Sequence, residues 1–282
     1  MQIISTAAEY LNWRSAQNDT IGFIPTLGAL HNGHFSLIKT SKQTCQLTVV
    51  SIFLNPTQFS TNEDLDSYPD TLDDDIKWLI SLNVDILFLP TNEEMYNQVG
   101  DVNVPSSNLF KKLEGKSRPH FFYGVTTIVA KLFNVIQPTH TFFGEKDAQQ
   151  LRIIQEMIDM MNYSIICIPC ETIRSDNGLA LSSRNQYLTK EEQNRAAIIY
   201  SGLMKIQTCL DEHQKNPKLL KKIFEEHIKH VSDITIDYIS IACSNTLDEV
   251  EEITNKKLLI SVAVFFKDVR LIDNFTYSFS ST

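Results

Sequence analysis

Residues 21–34 read IGFIPTLGALHNGH. Ile21 to Thr26 is an apolar run with little polar alternation, the pattern of a strand covered on both faces of a parallel sheet. From about residue 34 to 44, apolar residues recur at three- and four-residue spacing, which predicts a helix. Between strand and helix, Gly28 and Gly33 let the backbone approach a ligand closely. The free N–H groups of a helix start, together with its dipole, favour phosphate. His31 and His34 stand three apart, so on a first helical turn they project to one side. Two imidazoles placed there can donate hydrogen bonds to phosphate oxygens as charge builds up in a transition state. The competing reading is a histidine cap beside a packed histidine. A zinc site built on the pair lacks a nearby acidic or cysteine third ligand, so no metal-ligating residue is assigned.

Outward from this junction the pattern repeats. Residues 47–54, 84–90, 140–146 and 163–169 read as further buried strands, with helices expected at about 71–82, 124–136 and 147–161. Strand–helix alternation implies a doubly wound, Rossmann-like α/β domain with a parallel sheet, whose ligands bind beyond the carboxyl ends of the strands. After about residue 186 the texture changes. Charged helices at roughly 189–214 and 217–231 lead into short strands near 234–242, 257–265 and 268–273. The expectation is an α/β domain over residues 1–180 and a smaller α+β lid over 181–282.

Three further constellations carry chemistry. Asn55-Pro56-Thr57-Gln58-Phe59 ends the second buried strand, and its amides can bind hydroxyls and carboxylates; taken alone it is a turn. Gly144-Glu145-Lys146-Asp147-Ala148-Gln149-Gln150 follows a strand and precedes a helix. There Lys146 can meet a phosphate and Asp147 can accept from hydroxyls. Gln150 lies one helical turn on; the bland alternative is an Asp N-cap with surface polars. Ser182-Ser183-Arg184-Asn185, after Arg174 and Gly178, sets two hydroxyls beside a guanidinium, a phosphate-gripping group at the domain junction. Asp73-Asp74-Asp75 could hold Mg²⁺ but also suit a helix first turn. His227 and His230 read as a solvated helix face.

Composition narrows the class. The net charge of -9 and pI near 5.3 argue against a broad basic face for nucleic acid. The N-terminus carries Glu9 and lacks an uninterrupted apolar core, so it does not read as a signal peptide. No stretch approaches the roughly 18 apolar residues of a membrane span. Five cysteines, an odd number in mostly apolar surroundings, fit a reducing cytoplasm. Cys167 and Cys170 form a lone C-x-x-C, read as core or strand edge.

PTLGALHNGH, SIFLNPTQF, EDLDSYP, LEGKSRP, VTTIVAKLF, FGEKDAQQL, NGLALSSRNQYL and RLIDN together resemble, in order and nearly end to end, the pantoate–β-alanine ligase family of the H-x-G-H nucleotidyltransferases. The resemblance implies a homodimer and small-molecule substrates, with no nucleic acid or membrane partner. It implies that pantoate and Mg²⁺-ATP give pantoyl adenylate and pyrophosphate, after which β-alanine displaces AMP. By resemblance, His31 and His34 contact the ATP phosphates, and Lys146, Ser182, Ser183 and Arg184 complete a clamp. Pro25, Thr26, Leu27, Gly28, Gly144, Asp147 and Ile173 join the nucleotide site. Asn55, Gln58 and Gln150 hold pantoate, and Arg118 lies near the phosphates or the incoming carboxylate.

The chain departs from the family pattern at a few positions. Phe121 occupies the usual histidine of R-P-x-H-F, with His120 beside it. Asn177 replaces an aspartate, Asp70 an arginine, Leu27 a methionine and Lys267 a glycine. The alternatives are a nucleotidyltransferase that stops after adenylyl transfer, and an inactive ATP- or pantoate-binding homologue.

Overall fold

A computed structural model describes residues 1–60, 63–254 and 256–279. The first lobe runs β1 (Gln2–Ile4), α1 (Ala7–Ser15), β2 (Ile21–Thr26), α2 (Asn32–Thr44), β3 (Leu47–Ile52), α3 (Leu72–Ser81) and β4 (Ile86–Phe88). It continues α4 (Glu114–Ser117), α5 (Phe121–Ile136), β5 (His140–Gly144), α6 (Ala148–Met160) and β6 (Ile166–Cys170). These six strands form one parallel sheet in the order β1-β4-β3-β2-β5-β6.

Alternation along the strands divides the core into two layers. Phe23, Val49, Ile86 and Phe88 pack with Tyr10 of α1, Phe133 of α5 and Ile154 of α6. Ile24, Val50 and Leu87 face the other way, onto Ile38 of α2 and Leu79 of α3. Because both faces are covered, the central strands carry no polar face, which is why they read as mainly apolar runs with little alternation. The outermost strand β6 departs from that reading. Its residues are mostly part-exposed, because helices cover an edge strand incompletely.

The second lobe comprises α7 (Lys190–Ala196), α8 (Ile198–Asp211), α9 (Pro217–Ile228), β7 (Ile234–Cys243), β8 (Leu258–Phe266) and β9 (Val269–Tyr277). Its three strands form an antiparallel sheet, and Val262, Val264 and Phe266 pack with Leu203 and Phe224 of the helices. The single helix expected over 189–214 is two, divided at Ala197. The Thr189 capping box starts α7.

β1 escapes the sequence reading because three residues show no periodicity. α1 escapes it because its apolar residues form no clear stripe; only Thr6, accepting from the Glu9 N–H, marks its start. Cys167 and Cys170 lie three apart on β6, so they point to opposite faces, and both thiols are free. Burial, with Cys170 nearby, pushes the Cys167 thiol up to about 12, which leaves it unreactive.

Candidate active site

β3 and β4 lie on one side of β2, and β5 and β6 on the other. Chain order therefore reverses between β2 and β5, and the crevice beyond their carboxyl ends is where a doubly wound sheet takes its ligand. A cleft of about 920 Å³ opens there and extends to the second lobe. Its walls include Pro25, Thr26 and Leu27 after β2, Gly144, Lys146, Asp147 and Gln150 after β5, and Ile173, Ser182, Ser183 and Arg184 from the lobe connection.

The loop after β2 is held in a left-handed conformation at Gly28 (φ 87°) and Ala29 (φ 50°). Beneath it Asp75 is buried, and its Oδ1 accepts from the Leu30 N–H at 2.9 Å and the Thr71 hydroxyl at 3.2 Å. A Cβ on Gly28 would stand 3.4 Å from Asp75 Oδ2 and 3.3 Å from Ile52. Gly28 lies outside the cleft wall, and its left-handed conformation shapes the loop. Asp74 pairs with Lys77 on the exposed face of α3, and Asp75 serves the loop, so neither faces the cleft.

His31 and His34 cap α2 reciprocally. His31 Nδ1 accepts from the Gly33 N–H at 3.1 Å, and His34 Nδ1 accepts from the His31 N–H at 3.3 Å. An accepting Nδ1 carries no proton, so each neutral ring carries its hydrogen on Nε2, at the opposite ring edge. The ring centroids are 4.2 Å apart. Burial, then the Lys146 ammonium, lowers His31 to about 4, against a smaller opposing pull from Asp147. Burial, then His31 and Lys146, holds His34 well below its ordinary value. Both are neutral donors at pH 7. A Cβ on Gly33 would come within 2.7 Å of the His31 ring, which explains the glycine between the histidines.

The connection between the lobes supplies the other wall. Ser182 Oγ accepts from the Arg184 N–H, and Ser183 Oγ donates to the Ala29 carbonyl at 2.9 Å, tying this segment to the β2 loop. Arg184 forms a two-point pair with Asp64 at 2.7 and 2.9 Å. Burial would raise the Asp64 carboxyl, but Arg184 and the Tyr187 hydroxyl bring it below the ordinary range. Glu63 makes the matching pair with Arg118, whose guanidinium stacks 3.7 Å above the Phe121 ring.

Gln58 and Gln150 line the cleft, but Asn55 does not. Asn55 is fully buried, and its amide is occupied by Gln58, Gly124, Thr57 and Tyr96. Here it holds Gln58. Gly144 meets nothing within 4 Å of an added Cβ, so protein packing does not require the glycine and the space is open to a ligand.

Sequence reasoning missed the contributions of β9 and its neighbours. Arg270 pairs with Glu114 and with Asp237, the latter at 2.6 Å, and Tyr238 donates to Glu114. Asp273 pairs with Arg174 at 2.6 and 2.8 Å, and Asn274 Nδ2 donates to the carbonyls of Glu145 and Lys146. The sequence signal was RLIDN: two charged residues and an amide inside an otherwise apolar strand.

A family model for pantoate-beta-alanine ligase matches residues 2–276. The chain belongs to the pantoate–β-alanine ligase family. It is 42% identical over 254 residues to a pantothenate synthetase of Acetivibrio thermocellus, covering 90% of each chain. With a pantothenate synthetase of Thermotoga petrophila the identity is 39% over 277 residues, covering 97% of this chain and 99% of the relative. A crystal structure of pantothenate synthetase from Thermus thermophilus superposes with a TM-score of 0.89 at 35% identity, covering 98% and 99%. The pantoate-beta-alanine ligase of Francisella tularensis, complexed with beta-gamma ATP and beta-alanine, gives 0.78 at 34% identity, covering 98% and 97%.

The departures from the ligase pattern are accommodated locally. Phe121, read against the family pattern as standing at a histidine position, presents a ring that the Arg118 cation covers. Asn177 accepts from the Ser175 hydroxyl and the Leu179 N–H, closing the turn at Gly178 (φ 95°) without a charge. Asp70 is exposed and accepts from the Leu72 N–H at the start of α3. Lys267 adopts φ 51° between β8 and β9, the conformation that favours glycine, and its ammonium pairs with Glu192.

Proposed function

We propose that this chain joins pantoate to β-alanine using ATP, by way of pantoyl adenylate, with release of pyrophosphate and then AMP. The observation that carries the reading is the reciprocal histidine cap: two neutral imidazoles, each with Nδ1 committed to backbone, at the β2–β5 crevice. Neutral Nε2–H donors suit phosphoryl oxygens on which negative charge grows, and they have no proton to take.

The chemistry asks for little else. A carboxyl of pKa about 4 is ionised at pH 7, so pantoate attacks the α-phosphorus without a general base. One carboxylate oxygen forms the new P–O bond and the bond to pyrophosphate breaks. In the second step the β-alanine amine, in its neutral form, attacks the acyl carbon, the C–O bond to AMP breaks, and the proton shed by the nitrogen passes to the departing phosphate or to water. Catalysis is placement and charge stabilisation. His31, His34, Lys146, Ser182, Ser183 and Arg184 hold the phosphates. Pro25, Thr26, Leu27, Gly144, Asp147 and Ile173 surround the nucleoside. Gln58 and Gln150 meet pantoate, and Phe53, Val125, Val129 and Phe143 supply an apolar floor for its methyl groups.

Among the described residues no cluster of three or more His, Cys, Asp or Glu is placed to hold a metal ion. Mg²⁺ would arrive on the triphosphate, since it keeps several waters and is commonly held through substrate phosphates. When bound it neutralises phosphate charge. The lobes meet at residues 180/181, and closure there keeps water from the adenylate. No helix among the described residues is long and apolar enough to cross a membrane. A cytoplasmic homodimer completes the proposal, and light scattering on the purified chain checks the dimer.

The deciding assay is pantoate-dependent ATP–pyrophosphate exchange, followed by AMP release on adding β-alanine. Exchange with no pantothenate formed would reduce the activity to adenylyl transfer. Absence of exchange would leave only a binding protein.

A further inference from the structure

Gln58 reaches the cleft from a turn that is fixed from behind. The turn Pro56–Gln58 follows β3, and α5 presses so closely on it that a Cβ on Gly124 would lie 2.4 Å from the Thr57 carbonyl oxygen. Behind the turn sits Tyr96, in a single π-helical turn over Glu94–Gln98. The buried Lys131 of α5 holds that turn, its ammonium donating to the carbonyls of Met95 and Val99, each at 3.0 Å. The Tyr96 hydroxyl reaches Asn55 Oδ1 at 2.5 Å and Thr57 Oγ1 at 3.0 Å.

The amide of Asn55 has only one workable orientation in this setting. Its Oδ1 receives the Thr57 N–H at 3.3 Å, the Thr57 hydroxyl at 3.0 Å and the Tyr96 hydroxyl. Its Nδ2 faces two acceptors, the Gly124 carbonyl and Gln58 Oε1, both at 3.2 Å. Turning the amide over would set oxygen against oxygen at Gly124 and nitrogen against the Thr57 N–H, two unmet buried groups. Because Asn55 offers N–H to Gln58, Gln58 must answer with its oxygen. Its NH₂ is then the end left for the cleft.

We propose that Tyr96 is a positioning residue: its hydroxyl braces Asn55 in a relay whose polarity the Gly124 carbonyl and the Thr57 N–H set, running from Asn55 N–H to Gln58 Oε1 and from Gln58 N–H to an acceptor oxygen of the bound acid. The inference rests on the ligase reading and deepens it: Gln58 recognises a carboxylate or hydroxyl oxygen as a donor, never as an acceptor. A tyrosine outside the cleft wall thus steadies the amide that sets the selectivity.

Three variants test the relay, each checked for folding by circular dichroism, with KM for pantoate and for ATP measured separately. Tyr96→Phe removes one neutral hydrogen bond, so KM for pantoate should rise about five- to tenfold while KM for ATP stays within twofold. Gln58→Glu keeps an oxygen for Asn55 Nδ2 and replaces the donor with a charge, so it should raise KM for pantoate at least about a hundredfold. Asn55→Asp accepts at both oxygens and turns Gln58 over, so it should behave like Gln58→Glu. Equal rises in both KM values for Tyr96→Phe, no rise at all, or tolerance of Gln58→Glu would overturn the relay. An unmodified chain without pantoate-dependent exchange removes the ligase reading and the relay with it. An active chain indifferent to Tyr96→Phe removes the relay alone.

Discussion

His34 is positioned by its own backbone: the ring nitrogen that could act as a base is occupied by the His31 N–H, and the other is left as a donor. His34→Ala should slow pantoate-dependent exchange by about 10²-fold or more, the scale of one lost transition-state donor. Stopped-time exchange with labelled pyrophosphate measures it, and an unchanged rate would remove the role. Gly33→Ala should do comparable damage by a different route, since the new methyl displaces the His31 ring. The lowered histidine also predicts a pH profile. With His31 at about 4, the neutral donor survives well below pH 6.5, so kcat should show no acidic limb near 6.5 from this group. The linkage sign follows: the unfolded chain takes up the proton first, so the stability from this histidine is complete above about 6.5 and lost as pH falls towards 4. Chemical-denaturation curves across that window check it. At this scale the sequence was informative, because H-x-G-H between a strand and a helix has few readings. It could not reveal that Asn55 is consumed internally, since its partner Tyr96 lies 41 positions away.

Elements carry the site in place, and here legibility depended on length and burial. β2, β3 and β5 were readable because two-sided burial leaves mainly apolar runs without alternation, whereas three-residue β1 left no pattern at all. β9 was read short, to 273 rather than Tyr277, because its buried polar residues interrupt the apolar run. Those residues bind the lobes together. Asp273 is almost fully buried and faces the Arg174 guanidinium at two points. Asp273→Ala leaves that guanidinium without its partner beside the lobe connection, and should lower stability by about 3 kcal/mol. Urea unfolding of the variant measures the loss; a change under about 0.5 kcal/mol would show the pair to be dispensable.

The lobes meet around the cleft, and its arginines are engaged within the chain, Arg118 by Glu63, Arg184 by Asp64 and Arg270 by Glu114 and Asp237. The sequence showed S-S-R and E-D as separate segments with no sign that they meet, because a contact spanning 120 positions leaves no local pattern. The arrangement has a consequence for nucleotide binding. Arg184 cannot give both guanidinium edges to a triphosphate while Asp64 holds two of its donors, so ATP must displace or share that carboxylate. A ligand that first breaks a competing contact binds more weakly by the free energy of that contact. Both partners are partly exposed, which sets the size of a such a pair at roughly 0.2–1 kcal/mol. Asp64→Asn keeps the shape and removes the charge, so it should tighten ATP binding by up to about fivefold, read by calorimetry without pantoate. The gain should shrink as salt is raised, because the competing contact is itself screened. Weaker ATP binding by Asp64→Asn would mean instead that Asp64 orients Arg184 in the nucleotide complex, and the two carboxylates would then belong to the closed state of the cleft.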